Sequence, residues 1–113
     1  MDQTAFQGVV DRTLDELPPW VVEKIDNLVV VVEDSPPPDL EGSLGVYDGV
    51  SLLERSADYW GAVPDQITIF REPHLELGLN EAELESEVRK TVLHEIAHHL
   101  GIDDDRLDEL GWA

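Results

Sequence analysis

Residues 91–101 constrain the fold of this chain more than any other stretch. They read Thr-Val-Leu-His-Glu-Ile-Ala-His-His-Leu-Gly, so His94 and His98 stand four residues apart and Glu95 follows the first of them. On an α-helix, side chains four apart lie on one face about a turn from each other, and both imidazoles can reach a single metal ion. A carboxylate beside such an ion can take a proton from its water. The stretch therefore predicts a helix that carries a metal site, with Glu95 as the general base.

Capping signals predict where this helix begins and ends. Asn80 stands at the expected N-cap position, and Glu83 three residues later completes a capping-box arrangement. Gly101 follows the last apolar residue and can adopt the left-handed conformation at which helices commonly stop. The predicted helix spans 81–100, and its apolar residues share one broad arc opposite the two ligand histidines, which therefore face a cleft. This arc contains Val88, Val92, Leu93, Ile96, Ala97 and Leu100.

A third metal ligand is predicted just beyond the helix, because two imidazoles do not complete a zinc site. The chain has no cysteine, so the ligand must be a histidine or a carboxylate. Asp104 follows His98 by six residues, and Gly101 between them lets the chain turn back beneath the helix. Asp104 is the predicted ligand, with Asp103 and Asp105 as competitors; any of the three could instead cap the next helix. A carboxylate from a later helix would need more chain than the twelve residues that remain.

Four other side chains are weaker candidates for the cleft. His99 lies about 100° around the helix from His98, which favours a packed or supporting histidine over a further ligand. His74 follows a predicted strand and could contact a substrate, although a loop histidine without a role is the simpler interpretation. Tyr47 and Arg71 could also contact a substrate, but no spacing argument supports either.

The remaining patterns predict a small sheet packed on helices. Apolar residues at helical spacing indicate helices, an uninterrupted β-branched run indicates a strand covered on both faces, and an Asp-Gly pair indicates a hairpin. The order of elements favours one α+β domain over residues 1–113, with a mixed sheet and the metal-binding helix near the C-terminus. The predicted elements are helices over 3–17, 19–25, 81–100 and from about 105, strands over 28–32 and 66–71, and a hairpin over 44–52.

Composition narrows the classes of partner. Acidic residues outnumber basic ones 26 to 7, which gives a formal net charge of -19. Nucleic acid and anionic membranes would be repelled over most of such a surface, so neither is an expected partner. The N-terminus lacks the basic start and apolar run of a signal peptide, and no stretch reaches the length of a membrane span. Together with the absence of cysteine, this favours a soluble protein of the cytoplasm.

The motif residues resemble the zincin metallopeptidases. More narrowly, the chain is similar to a family of small bacterial zincin-like metallopeptidases that carry His-Glu-x-x-His-His-x-Gly-x-x-Asp near the C-terminus, here His94 to Asp104. The similarity extends upstream through 44–50, Glu54-Arg55 and 67–71. The resemblance implies a minimal zincin fold in which Zn²⁺ is held by the two histidines and Asp104. It also implies that the strand over 66–71 is a sheet edge that could pair with an extended substrate.

Motif and resemblance together predict a zinc-dependent metallopeptidase that hydrolyses a peptide or protein substrate, with Glu95 as general base. The alternative is a metal-binding interaction module that hydrolyses nothing. Against it stands the retained Glu95, because a structural zinc site has no need of a base. A metal-dependent ribonuclease is a third hypothesis, since such enzymes use a similar histidine spacing, but the strongly acidic composition weighs against it.

Overall fold

The computed structural model describes residues 1–61 and 63–110, and within them it leaves the side chains of Asp104 and Leu110 undescribed. The predicted helices are present, with ends shifted by at most two residues. The elements are helices α1 (Gln3–Asp15), α2 (Pro19–Lys24), α3 (Arg71–Leu75), α4 (Glu81–Leu100) and α5 (Asp104–Leu110), strands β1 (Leu28–Glu33), β2 (Gly45–Asp48) and β3 (Asp65–Phe70), and a 3-10 helix over Pro38–Leu40.

The sheet is mixed and has the order β1-β3-β2, with β1 parallel and β2 antiparallel to β3. The prediction that the strand over 66–71 forms a sheet edge is therefore wrong, because β3 is the central strand. Its side chains are buried on both faces, as shown by Ile67 and Ile69 on one side and Thr68 on the other. Such burial is typical of a strand with neighbours on both sides. The edge beside α4 is instead β2.

Strand β1 is less buried than its run of valines predicts. Val30 and Val32 pack against the core, whereas Val29, on the opposite face, is 41% exposed. The prediction of a strand covered on both faces is wrong for this reason. A continuous β-branched run shows that a segment favours strand geometry, but it does not show how many layers cover it.

The predicted hairpin over 44–52 is also wrong. Strand β2 ends at Asp48, and the described residues that follow it up to Pro64 form turns and irregular backbone rather than a second strand. Gly49 is needed here because a Cβ atom at this position would lie 2.4 Å from the carboxylate of Asp65. The amide N–H of Val50 then donates to that carboxylate at 3.2 Å. The chain after β2 is thus held at Asp65, the first residue of β3, instead of turning back along β2.

Helix α4 has the predicted bounds. Asn80 accepts from the Glu83 amide at 2.9 Å, the Glu83 side chain accepts from the Asn80 amide at 3.2 Å, and Gly101 ends the helix in the left-handed conformation at φ 82°. The predicted apolar arc faces the core, where α4 packs on α1 and the sheet. This packing of helices on a mixed sheet confirms the α+β prediction. The fully buried core side chains include Phe6, Val10, Ile67, Ile69, Val88, Val92 and Ile96.

Candidate metal centre

The exposed side of α4 brings three candidate metal-binding side chains together. One ligand atom from each of His94, Glu95 and His98 lies within 4.8 Å of the other two. The two imidazole centroids are 4.4 Å apart. Both histidines are partly exposed, while Glu95 is 6% exposed. The helical spacing thus places two ring nitrogens and a carboxylate close together on α4, where they could hold a metal ion.

Glu95 is buried without full hydrogen bonding. Among the described residues, its Oε2 makes no hydrogen bond, and the Nδ1 atom of His98 lies 3.5 Å away. Burial raises the pKa of the Glu95 carboxyl above its usual value, and the charge of His94 opposes this shift only in part. A buried carboxylate oxygen without a hydrogen bond costs free energy, which a cation or its water beside it would recover. The cluster therefore fits a divalent cation held by imidazoles.

The side chain of Asp104, the third predicted ligand, lies outside the described part of the structure. Its role as a metal ligand therefore stays a prediction. Its backbone begins α5 three residues after Gly101. Of its competitors, Asp103 accepts from the amide of Arg106 at 2.9 Å and so caps α5. Asp105 is exposed. Helix capping is the alternative role predicted for each of the three aspartates, and Asp103 has that role.

Two grooves open on either side of the cluster, and the edge strand β2 borders both. The first, of about 470 Å³, lies between the start of β2 and α4 and is lined by Gly45, Thr91, His94 and Glu95 among others. The second, of about 390 Å³, is lined by Tyr47 and His98, with residues from the chain after β2 and from the turn after α4. Strand β2 therefore borders the grooves that His94, Glu95 and His98 line.

His99, predicted to be a packed or supporting histidine, is fully buried on the other side of α4. Its Nε2 accepts from the amide of Asp26 at 3.2 Å, so Nδ1 carries the proton and donates to Asp65 at 2.9 Å. Burial lowers the pKa of His99, and the hydrogen bond to Asp65 opposes the shift. His99 thus stays neutral and joins α4 to β3.

Asp65 is the centre of a buried polar network that the sequence interpretation missed. Its carboxylate, on a side chain only 3% exposed, accepts from the Tyr47 hydroxyl, the Val50 amide, Arg55 at 3.1 Å and His99. Burial raises the pKa of Asp65, but these hydrogen bonds outweigh it and hold the pKa below its usual value. Period-two alternation could have revealed the residue, because it puts Asp65 on the face of Ile67 and Ile69.

The other weak candidates for substrate contact are structural. His74 is fully buried in α3 rather than in a loop, and its ring nitrogens contact the Phe70 carbonyl at 2.6 Å and the Thr91 hydroxyl at 2.8 Å. Arg71 pairs with Asp34 at 2.9 Å. Tyr47 lines the second groove while its hydroxyl donates to Asp65. Neither His74 nor Arg71 lines the two grooves beside the cluster.

In the part of the chain that the structure describes, no helix combines the length and apolar character needed to cross a membrane. No curated protein matches the sequence. The chain is similar to the solved structure of a conserved hypothetical protein (TTHA0227) from Thermo thermophilus, with 30% identity and a TM-score of 0.59. That alignment covers 88% of this chain and 94% of the other. A family model described as zincin-like metallopeptidase matches residues 25–112, which include the whole of α4. The chain therefore belongs to the zincin-like metallopeptidase family.

Proposed function

We propose that this protein is a zinc-dependent metallopeptidase that hydrolyses peptide bonds in a peptide or protein substrate. The observation that carries the proposal is the grouping of His94, Glu95 and His98 within 4.8 Å, with a buried Glu95 oxygen that has no hydrogen-bond partner among the described residues. Membership of a metallopeptidase family supports the same chemistry. A buried carboxylate kept beside two imidazoles is what a general base near a metal requires.

Three residues would hold the metal. His94 and His98 supply imidazole nitrogens from one face of α4, and Asp104 is the proposed third ligand from the start of α5. When bound, zinc supplies a Lewis acid that activates water and polarises the carbonyl of the substrate. The turn at Gly101 sets where Asp104 lies relative to the helix, so the ligand set depends on one left-handed residue.

Glu95 would move the proton during hydrolysis. Its carboxylate takes a proton from the attacking water and can later deliver that proton to the amine of the leaving group. Its burial keeps the side chain out of bulk water and limits its motion, so the proton acceptor stays near the two imidazoles.

The substrate would lie along β2. This strand is the sheet edge that borders both grooves, and an extended peptide can pair with such an edge through main-chain hydrogen bonds. Pairing with β2 would draw the peptide past His94 and His98, which line the two grooves in turn. The edge strand proposed to pair with the substrate is therefore β2 and not β3.

Metal analysis tests the ligand set. Purified protein incubated with zinc and freed of excess is expected to retain about one equivalent, and His94→Ala or His98→Ala should abolish this retention. Among the aspartates, Asp104→Ala should weaken zinc binding strongly, whereas Asp105→Ala should leave it unchanged. Wild-type retention well below one equivalent would refute the zinc site, and loss confined to Asp103→Ala or Asp105→Ala would reassign the third ligand.

Glu95→Gln separates catalysis from metal binding. This variant is expected to keep the metal and lose hydrolysis of a fluorogenic peptide library by about a hundredfold or more. Glu23→Gln, an exposed change on α2, serves as the matched control with unaltered activity. Zinc retention without any hydrolysis by the wild type would favour the non-catalytic interaction module, while hydrolysis that survives in Glu95→Gln would require another base.

A further inference from the structure

The chain between β2 and β3, which we call the Arg55 loop (residues 49–64), is irregular in its described residues but firmly anchored. The Arg55 side chain is 9% exposed. Its guanidinium donates to the Asp65 carboxylate at 3.1 Å, to the Asp26 carboxylate at 2.8 Å and to the Asp26 carbonyl at 3.0 Å. It also lies 4.1 Å from the ring centroid of Tyr59. One buried cation thus fixes the middle of the loop to the sheet.

The same loop is joined to the end of the metal-binding helix. The Leu52 amide donates to the carbonyl of His99 at 2.9 Å. Leu53 lies so close to Gly101 that a Cβ atom there would be 2.6 Å from the leucine Cγ. Near its start, the Val50 amide donates to Asp65. The first two contacts hold the loop against His99 and Gly101, and the third joins it to the start of β3.

Large apolar side chains of this anchored loop are exposed to solvent. Trp60 is 90% exposed, and Leu53 and Val63 are each 79% exposed. Burying charged groups costs free energy unless their hydrogen bonds are satisfied. The hydrogen bonds of the buried Arg55 network therefore keep the surface loop in a defined position. Loops held on a rigid scaffold commonly carry binding functions, and grouped exposed apolar side chains mark interaction sites.

The exposed surface is continuous with the metal centre. The groove beside His98 is also lined by Leu53 and Glu54. Glu54 in turn lines a neighbouring groove of about 470 Å³, together with Asp58 and Trp60. An extended chain leaving the metal centre on the His98 side would therefore meet both apolar and acidic side chains.

We propose that the Arg55 loop is the docking surface for the substrate polypeptide, and that it selects segments combining large apolar side chains with lysine or arginine. The proposal rests on the proposed peptidase function, since it assigns a substrate to that site. Leu53 and Trp60 contact the apolar side chains, while Glu54 and Asp58 attract the basic ones. The net charge of -19 favours a cationic segment and repels an acidic one. A second copy of this acidic chain fits the surface poorly for the same reason.

Binding of two short fluorescein-labelled peptides tests the proposal. They share the same leucine, tryptophan and serine positions and differ only in carrying lysine or glutamate elsewhere. Fluorescence anisotropy with the Glu95→Gln protein and added zinc should show the lysine peptide bound at least about tenfold more tightly. The double variant Leu53→Ser/Trp60→Ser, made in this background, should weaken that binding about tenfold or more. Val22→Ser, 55% exposed on α2, is the matched control and should change nothing.

A further variant tests whether the acidic side chains of the loop attract the basic peptide. Glu54→Gln should reduce the preference for the lysine peptide several-fold and make its binding less sensitive to salt. Equal binding of the two peptides, or full binding by the double variant, would overturn the docking proposal. Self-association of the wild type that disappears in the double variant, measured by sedimentation, would also overturn it by assigning the surface to a second copy.

Hydrolysis by the wild type is measured separately, so that the two proposals can fail independently. Loop-dependent binding of the lysine peptide without cleavage of any library peptide would support the docking surface and refute the peptidase. Cleavage of peptides whose binding ignores the Leu53→Ser/Trp60→Ser change would support the peptidase and refute the docking surface.

Discussion

His98 and His99 are neighbours in the sequence, yet they belong to two polar sites with opposite properties. The side chain of His98 is 38% exposed and lies in a cluster where Glu95 keeps a buried oxygen without a hydrogen-bond partner among the described residues. His99 is fully buried, and both of its ring nitrogens have protein partners. Its partner Asp65 accepts hydrogen bonds from four groups, although the carboxylates of Asp65 and Glu95 are buried to a similar degree.

The difference shows how hydrogen-bond satisfaction separates a structural site from a functional one. A network whose members satisfy each other contributes stability and leaves nothing for a ligand. A cluster with an unsatisfied buried group destabilises the protein until a ligand binds it. We therefore assign a structural role to the Asp65 network, whereas the cluster of His94, Glu95 and His98 is left able to bind a ligand.

The largest expected effect comes from breaking the satisfied network. Asp65→Ala leaves Arg55 and His99 buried without their common acceptor, and removing one partner of a buried charged pair costs about 3–5 kcal/mol. Urea unfolding of the metal-free protein should show this loss. Asp48→Ala, an exposed aspartate on β2, is the matched control and should change stability by less than about 0.5 kcal/mol. A small effect of Asp65→Ala would mean that the network is not the main anchor of the fold.

Zinc should act on the other region alone. At a free concentration about a hundred times its Kd, zinc is expected to raise the free energy of unfolding by about 2.7 kcal/mol, because it binds the folded state. Thermal melts with and without zinc should show this gain, and His94→Ala should remove it. Glu23→Gln should retain it. Stabilisation that persists in His94→Ala would place the ion elsewhere.

Removing the unsatisfied charge should stabilise the metal-free protein. Glu95→Gln replaces a buried ionised carboxylate with a neutral amide and is expected to add about 1 kcal/mol at neutral pH. The gain should shrink as the pH falls toward about 4.5, the ordinary value for this carboxyl. The raised pKa of Glu95 means that the folded state protonates first as the pH falls, so its penalty is fully present above the folded pKa, shrinks below it, and is gone only below about 4.5.

Comparing Glu95→Gln with the wild type at each pH cancels the titration of the other groups. Asp65 behaves in the opposite sense, because its lowered pKa contributes stability that is lost only when the pH falls below about 3.8, its ordinary value. A Glu95→Gln protein that is less stable than the wild type across this range would show that the carboxylate is already well paired.

The smallest expected effect is that of Tyr47→Phe. The change removes one of four donors to Asp65 and leaves the ring packed, so a loss of about 1 kcal/mol or less is expected in urea unfolding. Zinc affinity should be unchanged, because Tyr47 acts on the satisfied network. A selective loss of zinc binding at full stability would instead connect Tyr47 directly to the metal centre.

Local signals predicted α4 and its cluster well. A capping box, a C-terminal glycine and an apolar arc act within a few residues of each other, so the bounds of the helix and the common face of His94 and His98 follow from the sequence. Family membership, inferred from the same stretch, is confirmed by the family model. The roles of the ligands and of Glu95 stay predictions, and Asp104 cannot be placed from its local pattern because three consecutive aspartates fit the same turn.

The sequence did not predict which distant residues or strands pair with each other. Asp65 and His99 are 34 residues apart, and no local pattern selects one aspartate among many as the partner of a histidine. Likewise, strand patterns predicted where strands lie but not which strand is central. The burial of β3 and the exposure of Val29 depend on neighbours contributed by distant parts of the chain.

The sequence by itself determined helix α4 and the grouping of His94, Glu95 and His98 on it, because helix formation, capping and side-chain spacing are decided by interactions over one or two turns. Only the tertiary structure decided that β2 is the edge beside the cleft, that the residues after Asp48 form an anchored loop, and that His99 is satisfied while Glu95 is not. Those features depend on which groups meet after the chain has folded, and hydrogen-bond satisfaction is a property of the assembled neighbours rather than of any single segment.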